Sequence, residues 1–156
     1  MLDHERYMKA ALELAREAYE DSDTPVGCVI VDAGGAIIGR GRNLREKEKR
    51  ATAHAEIEAI NAACMTVKDW RLSGCSLYVT LEPCPMCAGA IIMSRIEKVF
   101  YGARDEQSGS CGSVINLFIE SYGHSTQISG GILADECSAL LTEFFRRLRE
   151  RASEGV

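Results

Sequence analysis

The chain predicts an α/β fold in which a mixed sheet carries helices on both faces. Three observations lead there: short β-forming runs alternate with helix-period stretches, Gly and Pro punctuate them, and the order of elements reads αββαβαβαβα. Of the 156 residues, 46% are hydrophobic and 26% charged, which supplies one core but is too short a chain for two comfortable domains. Residues 1–156 therefore read as a single domain.

Tyr7, Met8, Ala11, Leu14, Ala15 and Ala18 recur at helical spacing behind Asp3, a suitable N-cap, so the first helix covers residues 4–20. Val26 to Asp32 and Ala36 to Gly41 form a β-hairpin, because Gly34-Gly35 between them readily takes the positive φ of a tight turn. Residues 43–51 are charged and read as irregular. Thr52 is placed to cap a second helix whose apolar positions run through Ile57, Ile60 and Cys64. Ser76 to Leu81 is a third strand, and Pro85 sits where a helix accepts proline, in its first turn. Val99 to Gly102 reads as a fourth strand, Val114 to Ile119 as helical, and Gln127 to Ser129 as a fifth strand. From Ile132 onward, Leu133, Cys137, Leu140, Leu141, Phe144 and Leu148 mark an amphipathic helix running to the end.

A formal net charge of −5 argues against a protein that coats nucleic acid through bulk electrostatics, and leaves only a local basic patch. Arg146, Arg147, Arg149 and Arg151 crowd together in the last helix, where the ordinary reading is a solvated face complementing the helix dipole. The opening Met1 to Arg6 lacks the layout of a secretion signal and no apolar run is long enough to span a bilayer, so the expectation is a cytoplasmic protein without membrane contact. Seven cysteines without framework spacing favour metal ligands and buried thiols over disulfides. Cys28, Cys64, Cys75, Cys111 and Cys137 are taken as small buried residues, which leaves Cys84 and Cys87.

Those two cysteines lie in Pro83-Cys84-Pro85-Met86-Cys87, downstream of His54-Ala55-Glu56. Two thiolates and one imidazole fit zinc with a fourth position left for water, which is the pattern of catalytic sites, whereas structural sites close the ion with four protein ligands. Residues two apart in a regular helix point to different sides, so His54 and Glu56 can share a site only at a helix start. Cys84 as N-cap and Cys87 at the third helical position lie on one side of the next helix. Helix N-termini favour thiolate and neutral imidazole, the forms that bind zinc. The remaining carboxylate, Glu56, is then free to move protons. Taken alone, Glu56 is an ordinary helix-start acid and the cysteine pair a redox or structural motif. A redox pair does not explain the upstream His-x-Glu, and the combination is a known signature of zinc base deaminases.

The likeness extends well beyond the motif. Pro25-Val26-Gly27, Gly39-Arg40-Gly41-Arg42-Asn43, Trp70-Arg71-Leu72, Gly102-Ala103-Arg104-Asp105, Gly130 through Cys137 and Phe144-Phe145-Arg146 all match, so nearly the whole chain resembles the bacterial tRNA-specific adenosine deaminases of the cytidine deaminase-like superfamily. The resemblance implies a three-layer α/β/α fold around a five-stranded mixed sheet, a homodimer with one Zn²⁺ per subunit, and conversion of the wobble adenosine of a tRNA anticodon arm to inosine. It makes His54, Cys84 and Cys87 the metal ligands and Glu56 the proton shuttle. It assigns substrate contact to Asn43, Ala55, Pro83, Arg71, Asp105, Gln107, Phe144, Phe145 and Arg149. Asn43 has a plain alternative as a turn residue, and Phe144 continues the apolar stripe. Gln107 departs from the family, which usually has a lysine there, and the tail lacks the family's lysines. Two rival readings follow: the same chemistry on a free base or nucleoside of guanine or cytosine type, and a non-enzymatic module that zinc merely stabilises.

Overall fold

The computed structural model describes residues 3–155. Among them, five strands form one sheet in the order β2-β1-β3-β4-β5. The strands are β1 (Gly27–Val31), β2 (Ile37–Arg42), β3 (Ser76–Leu81), β4 (Lys98–Ala103) and β5 (Gln127–Ser129). The helices are α1 (His4–Glu20), α2 (Arg45–Glu48), α3 (Ala55–Val67), α4 (Pro85–Met93) and α5 (Ala134–Ser153).

β1 is antiparallel to both β2 and β3, while β3, β4 and β5 are parallel. β1 alone is therefore reversed, and β2, β3 and β4 all end at the same edge of the sheet. Every residue of β1 is buried, because the sheet is covered on both sides. Cys28 and Ile30 face α3 and α4 together with Leu77 and Val79. Val29, Val31 and Tyr78 face α1 and the start of α5 through Tyr7, Met8, Leu12 and Cys137. The three layers expected from the resemblance are present.

The hairpin forms as predicted, with the Asp32 carboxylate accepting from the N–H groups of Gly34 and Ala36 and Gly35 at φ 90°. Asp3 caps α1 by accepting from the Arg6 N–H. Strand limits differ from the expectation by a residue or so, and three larger corrections are needed.

Residues 43–51 are not wholly irregular, since α2 occupies Arg45–Glu48. No apolar period marks it because its cap comes from a distance: buried Asp23 accepts from the N–H groups of Glu46 at 3.0 Å and Lys47 at 2.9 Å. Val114 to Ile119 is not a helix beyond a 3₁₀ turn at Leu117–Ile119. Val114 N–H donates to the Gly109 carbonyl and Leu117 N–H to that of Ser110, so this backbone is spent on the preceding loop. Finally, α3 starts after His54, with no capping bond from Thr52, and α5 starts at Ala134 behind Leu133 in the left-handed region.

Candidate active site

Two helix starts meet at the edge where β2, β3 and β4 end. His54 holds the N-cap position of α3 in extended backbone, φ −77° and ψ 154°, and Glu56 is the second residue of that helix. Cys84 holds the N-cap position of α4, also extended, with Pro85 next and Cys87 third. Neither helix start has a side-chain cap, so both N-cap side chains are turned away from that duty. The imidazole Nδ1 of His54 lies 3.6 Å from the sulfur of Cys84 and 3.6 Å from that of Cys87.

That spacing is a test of the metal. Tetrahedral zinc, bound at about 2.3 Å by sulfur and about 2.0–2.1 Å by nitrogen, needs nitrogen-to-sulfur edges of about 3.6 Å. The ligand atoms of His54, Cys84 and Cys87 all lie within 4.8 Å of one another, and the donor set suits zinc. The residues fit the ion.

The electrostatics agree. A hydrogen bond from Cys87, aided by His54 and opposed by burial, brings the Cys84 thiol down to about 4. Cys87 moves up, through that same bond and burial. The bond to Cys84 also raises His54 above the usual imidazole value, against its burial. Glu56 is 4% exposed, and burial, offset in part by its backbone N–H, pushes its carboxyl up to about 7. A carboxyl poised there both takes and gives protons near neutral pH.

A cavity of about 890 Å³ opens onto His54, Glu56 and Cys84. Of the sequence-predicted contact residues, Asn43, Ala55, Asp105, Gln107, Phe145 and Arg149 line it. Asn43 is buried, and its side-chain oxygen sits 3.4 Å from the Arg45 N–H, so the turn role and the cavity position coexist. Pro83 stays behind the wall, where its carbonyl accepts from the Ser110 N–H.

Besides Pro83, two more of the predicted contact residues do not line the cavity. Arg71 lies elsewhere, bonded to Asp69 and stacked over the exposed Trp70 ring. Phe144 is 8% exposed and packs edge-on against Tyr19, which satisfies the apolar stripe, while its neighbour Phe145, 46% exposed, turns to the cavity.

Residues not foreseen also line it: Thr24, Arg45, Glu82, Arg104, Leu141 and Leu148 among them. Glu82 had a signal, an acid directly after an apolar strand and just before Pro-Cys. Arg104 stood within a matching block without being given a role.

Cys28, Cys75, Cys111 and Cys137 are buried, Cys64 is half-buried, and all are free. Burial pushes the Cys111 thiol up to about 12 and Cys137 up to about 11, consistent with inert packing residues.

Residues 1–103 match the family model of the cytidine and deoxycytidylate deaminase zinc-binding region. The chain is 47% identical over 152 residues to the tRNA-specific adenosine deaminase of Bacillus subtilis (strain 168), covering 97% of this chain and 94% of that protein. A solved structure from studies of A-to-I editing by tRNA:A34 deaminases superposes with TM-score 0.84 at 39% identity, covering 87% of this chain and 99% of the other. The guanine deaminase of Nitrosomonas europaea superposes with TM-score 0.81 at 26% identity, covering 92% and 85%. With the ligand triad, the fold and near full-length identity in agreement, the chain belongs to the cytidine and deoxycytidylate deaminase zinc-binding family, in the branch of its tRNA-specific adenosine deaminase relatives.

Proposed function

We propose that the protein hydrolyses adenosine to inosine at the wobble position of a tRNA anticodon, with zinc held by His54, Cys84 and Cys87. The observation that carries the reading is one cavity that joins His54, Cys84 and buried Glu56 to an outer wall made by Phe145, Leu148 and Arg149 of α5. A free base needs only the deep part. The outer wall, with Arg45 and Arg104 nearby, suits a base presented on a charged, single-stranded backbone.

Zinc, when bound, supplies a Lewis acid that makes hydroxide available from water near neutral pH. In the reaction the water oxygen bonds to C6 of the adenine, the bond from C6 to its amine breaks, and ammonia leaves. Glu56 takes the proton from the attacking water, gives it to N1 of the ring, and carries the next proton to the departing amine. Its burial keeps that proton within the site. Asn43, with an amide that donates and accepts, reads the flipped base from the opposite wall. A base in an anticodon loop is already partly unstacked, which lowers the cost of extruding it.

The same reading includes a homodimer in the cytoplasm. Met65 and Val67 at the end of α3, Trp70 just beyond it and Met93 at the end of α4 are exposed apolar side chains, which supports a covered face. The free cysteines suit a reducing compartment. Among the described residues no helix is long and apolar enough to cross a membrane.

The likeness to a guanine deaminase makes a free purine the competing substrate. Incubation with an anticodon stem-loop RNA, and separately with guanine and cytosine, decides between them by following inosine and ammonia. Inosine in the RNA at one position is expected. Ammonia from a free base, with none from the RNA, would overturn the reading.

A further inference from the structure

Glu82 follows the last residue of β3, immediately before Pro83 and Cys84, and is 2% exposed. Among the described residues it has no ion pair with a basic side chain; a single loop satisfies it instead. One carboxylate oxygen accepts from the Asp105 N–H at 3.1 Å and from the Ser113 hydroxyl. The other accepts from the Cys111 N–H at 2.9 Å and the Ser113 N–H at 3.2 Å. Gly109 passes so close that a Cβ there would lie 2.3 Å from the carboxylate, so a side chain would break the approach. The Ser110 N–H donates to the Pro83 carbonyl at 2.8 Å, which pins the loop a second time to the same short segment.

The loop hung in this way supplies Asp105, Gln107 and Ser108 to the cavity wall. Within it, the Asp105 carboxylate accepts from the N–H groups of Gln107 and Ser108, which ties the start of the loop together. Asn43 follows β2 and this loop follows β4, so the two flank the cavity from either side of β3. Four donors on one buried carboxylate restrain the loop strongly, since each charge-assisted bond is about twice as strong as a neutral one.

We infer that Glu82 is a positioning residue: through its hold on the Asp105 to Ser113 loop it presets the wall against which RNA is bound. The inference rests on the reading of the cavity as an RNA adenosine site. Preorganised walls lower the cost of ordering on binding, so loosening this one weakens ground state and transition state alike.

Glu82→Gln is the test, because it keeps shape and removes an acceptor. Whichever way the amide turns, its NH₂ faces a backbone N–H, that of Asp105 on one side or those of Cys111 and Ser113 on the other. The expected result is a KM for the anticodon stem-loop raised roughly 10- to 100-fold, the loss of one or more charged hydrogen bonds, with kcat within about threefold. Zinc content stays at that of the wild type. Ser113→Ala, which removes one donor, raises KM by a smaller factor. The double variant Glu82→Gln with Asp105→Ala shows a KM rise well below the product of the singles, since both act through one loop.

An unchanged KM in Glu82→Gln overturns the inference, as does a fall in kcat that follows zinc loss, which would make Glu82 a support of Cys84. Should Glu82→Gln fail to fold, an unchanged KM in Ser113→Ala overturns it instead. Failure of the functional reading looks different: wild-type protein then makes no inosine, while faster hydrogen exchange over residues 105–113 in Glu82→Gln would still support the hold.

Discussion

A Cβ on Gly41 would lie 2.2 Å from the carbonyl oxygen of Ala55. Helix α3 thus rests on the backbone of β2 at the residue between His54 and Glu56. Gly39 makes the same close approach one turn further on, 2.4 Å from the Ala59 carbonyl. Gly41→Ala has no room without lifting the first turn of α3 off the sheet. Overpacking of this kind costs about 1–3 kcal/mol, roughly 3–10 °C in Tm for a chain of this size. Calorimetry with zinc analysis is expected to show lower Tm and reduced zinc content together. A wild-type Tm and full zinc would mean that the contact does not set the helix.

Glu56→Gln separates proton transfer from metal binding. Glu56 is not among the three ligands, so zinc content is expected to stay at one per chain. Activity should fall by roughly 10²- to 10⁴-fold, the usual contribution of a positioned acid-base group. Inosine formation and metal analysis on the same sample check both halves. Full activity would remove the shuttle role, and unaltered RNA binding with no turnover to lose would fit the zinc-stabilised module.

Adjacent phenylalanines are expected to divide stability from recognition. Phe144→Ala empties a buried site against Tyr19 and should cost about 3–5 kcal/mol, read as a lower Tm, with little change in KM at a temperature where the protein stays folded. Phe145→Ala should leave Tm nearly unchanged and raise KM for the stem-loop by roughly 5-fold or more, since stacking of a base on an aromatic ring contributes about 1–3 kcal/mol. Equal effects on Tm would show that both rings are core residues.

Removing zinc should destabilise the fold as well as the chemistry. Two uncapped helix starts and a Cys84 thiolate beside His54 are left facing each other without an ion. A ligand present at about 1,000 times its Kd contributes about 4 kcal/mol, so chelation is expected to lower Tm by roughly 8–16 °C and zinc to restore it. An unchanged Tm would argue that the folded protein does not hold zinc tightly at the triad.

The parts of this site legible in the sequence are those that depend on near neighbours. His54 and Glu56 needed a helix start, Cys84 and Cys87 needed a proline-led first turn, and both arrangements are local. The apolar runs of β1 and β3 were plain because both faces of the sheet are covered. What escaped depends on distant partners. Asp23 caps α2 across more than twenty residues, and Glu82 collects donors from Asp105 to Ser113; neither bond leaves a local period or spacing. Phe144 and Arg71 illustrate the converse. A likeness between sequences carries residue types forward, but whether a ring turns inward to Tyr19 or an arginine stays with Asp69 is decided by packing in this chain.

The single reversed strand, β1, brings the ends of β2, β3 and β4 to one edge, with Asn43 following the first, Glu82 and Cys84 the second, and Arg104 and Asp105 the third. Each strand end delivers a separate loop to a common mouth, while the ligand triad is anchored on helix starts beneath it. Of these loop tips only the one after β3 carries a metal ligand, so the tips after β2 and β4 can change the shape of the mouth while the two helix starts that hold the triad stay in place.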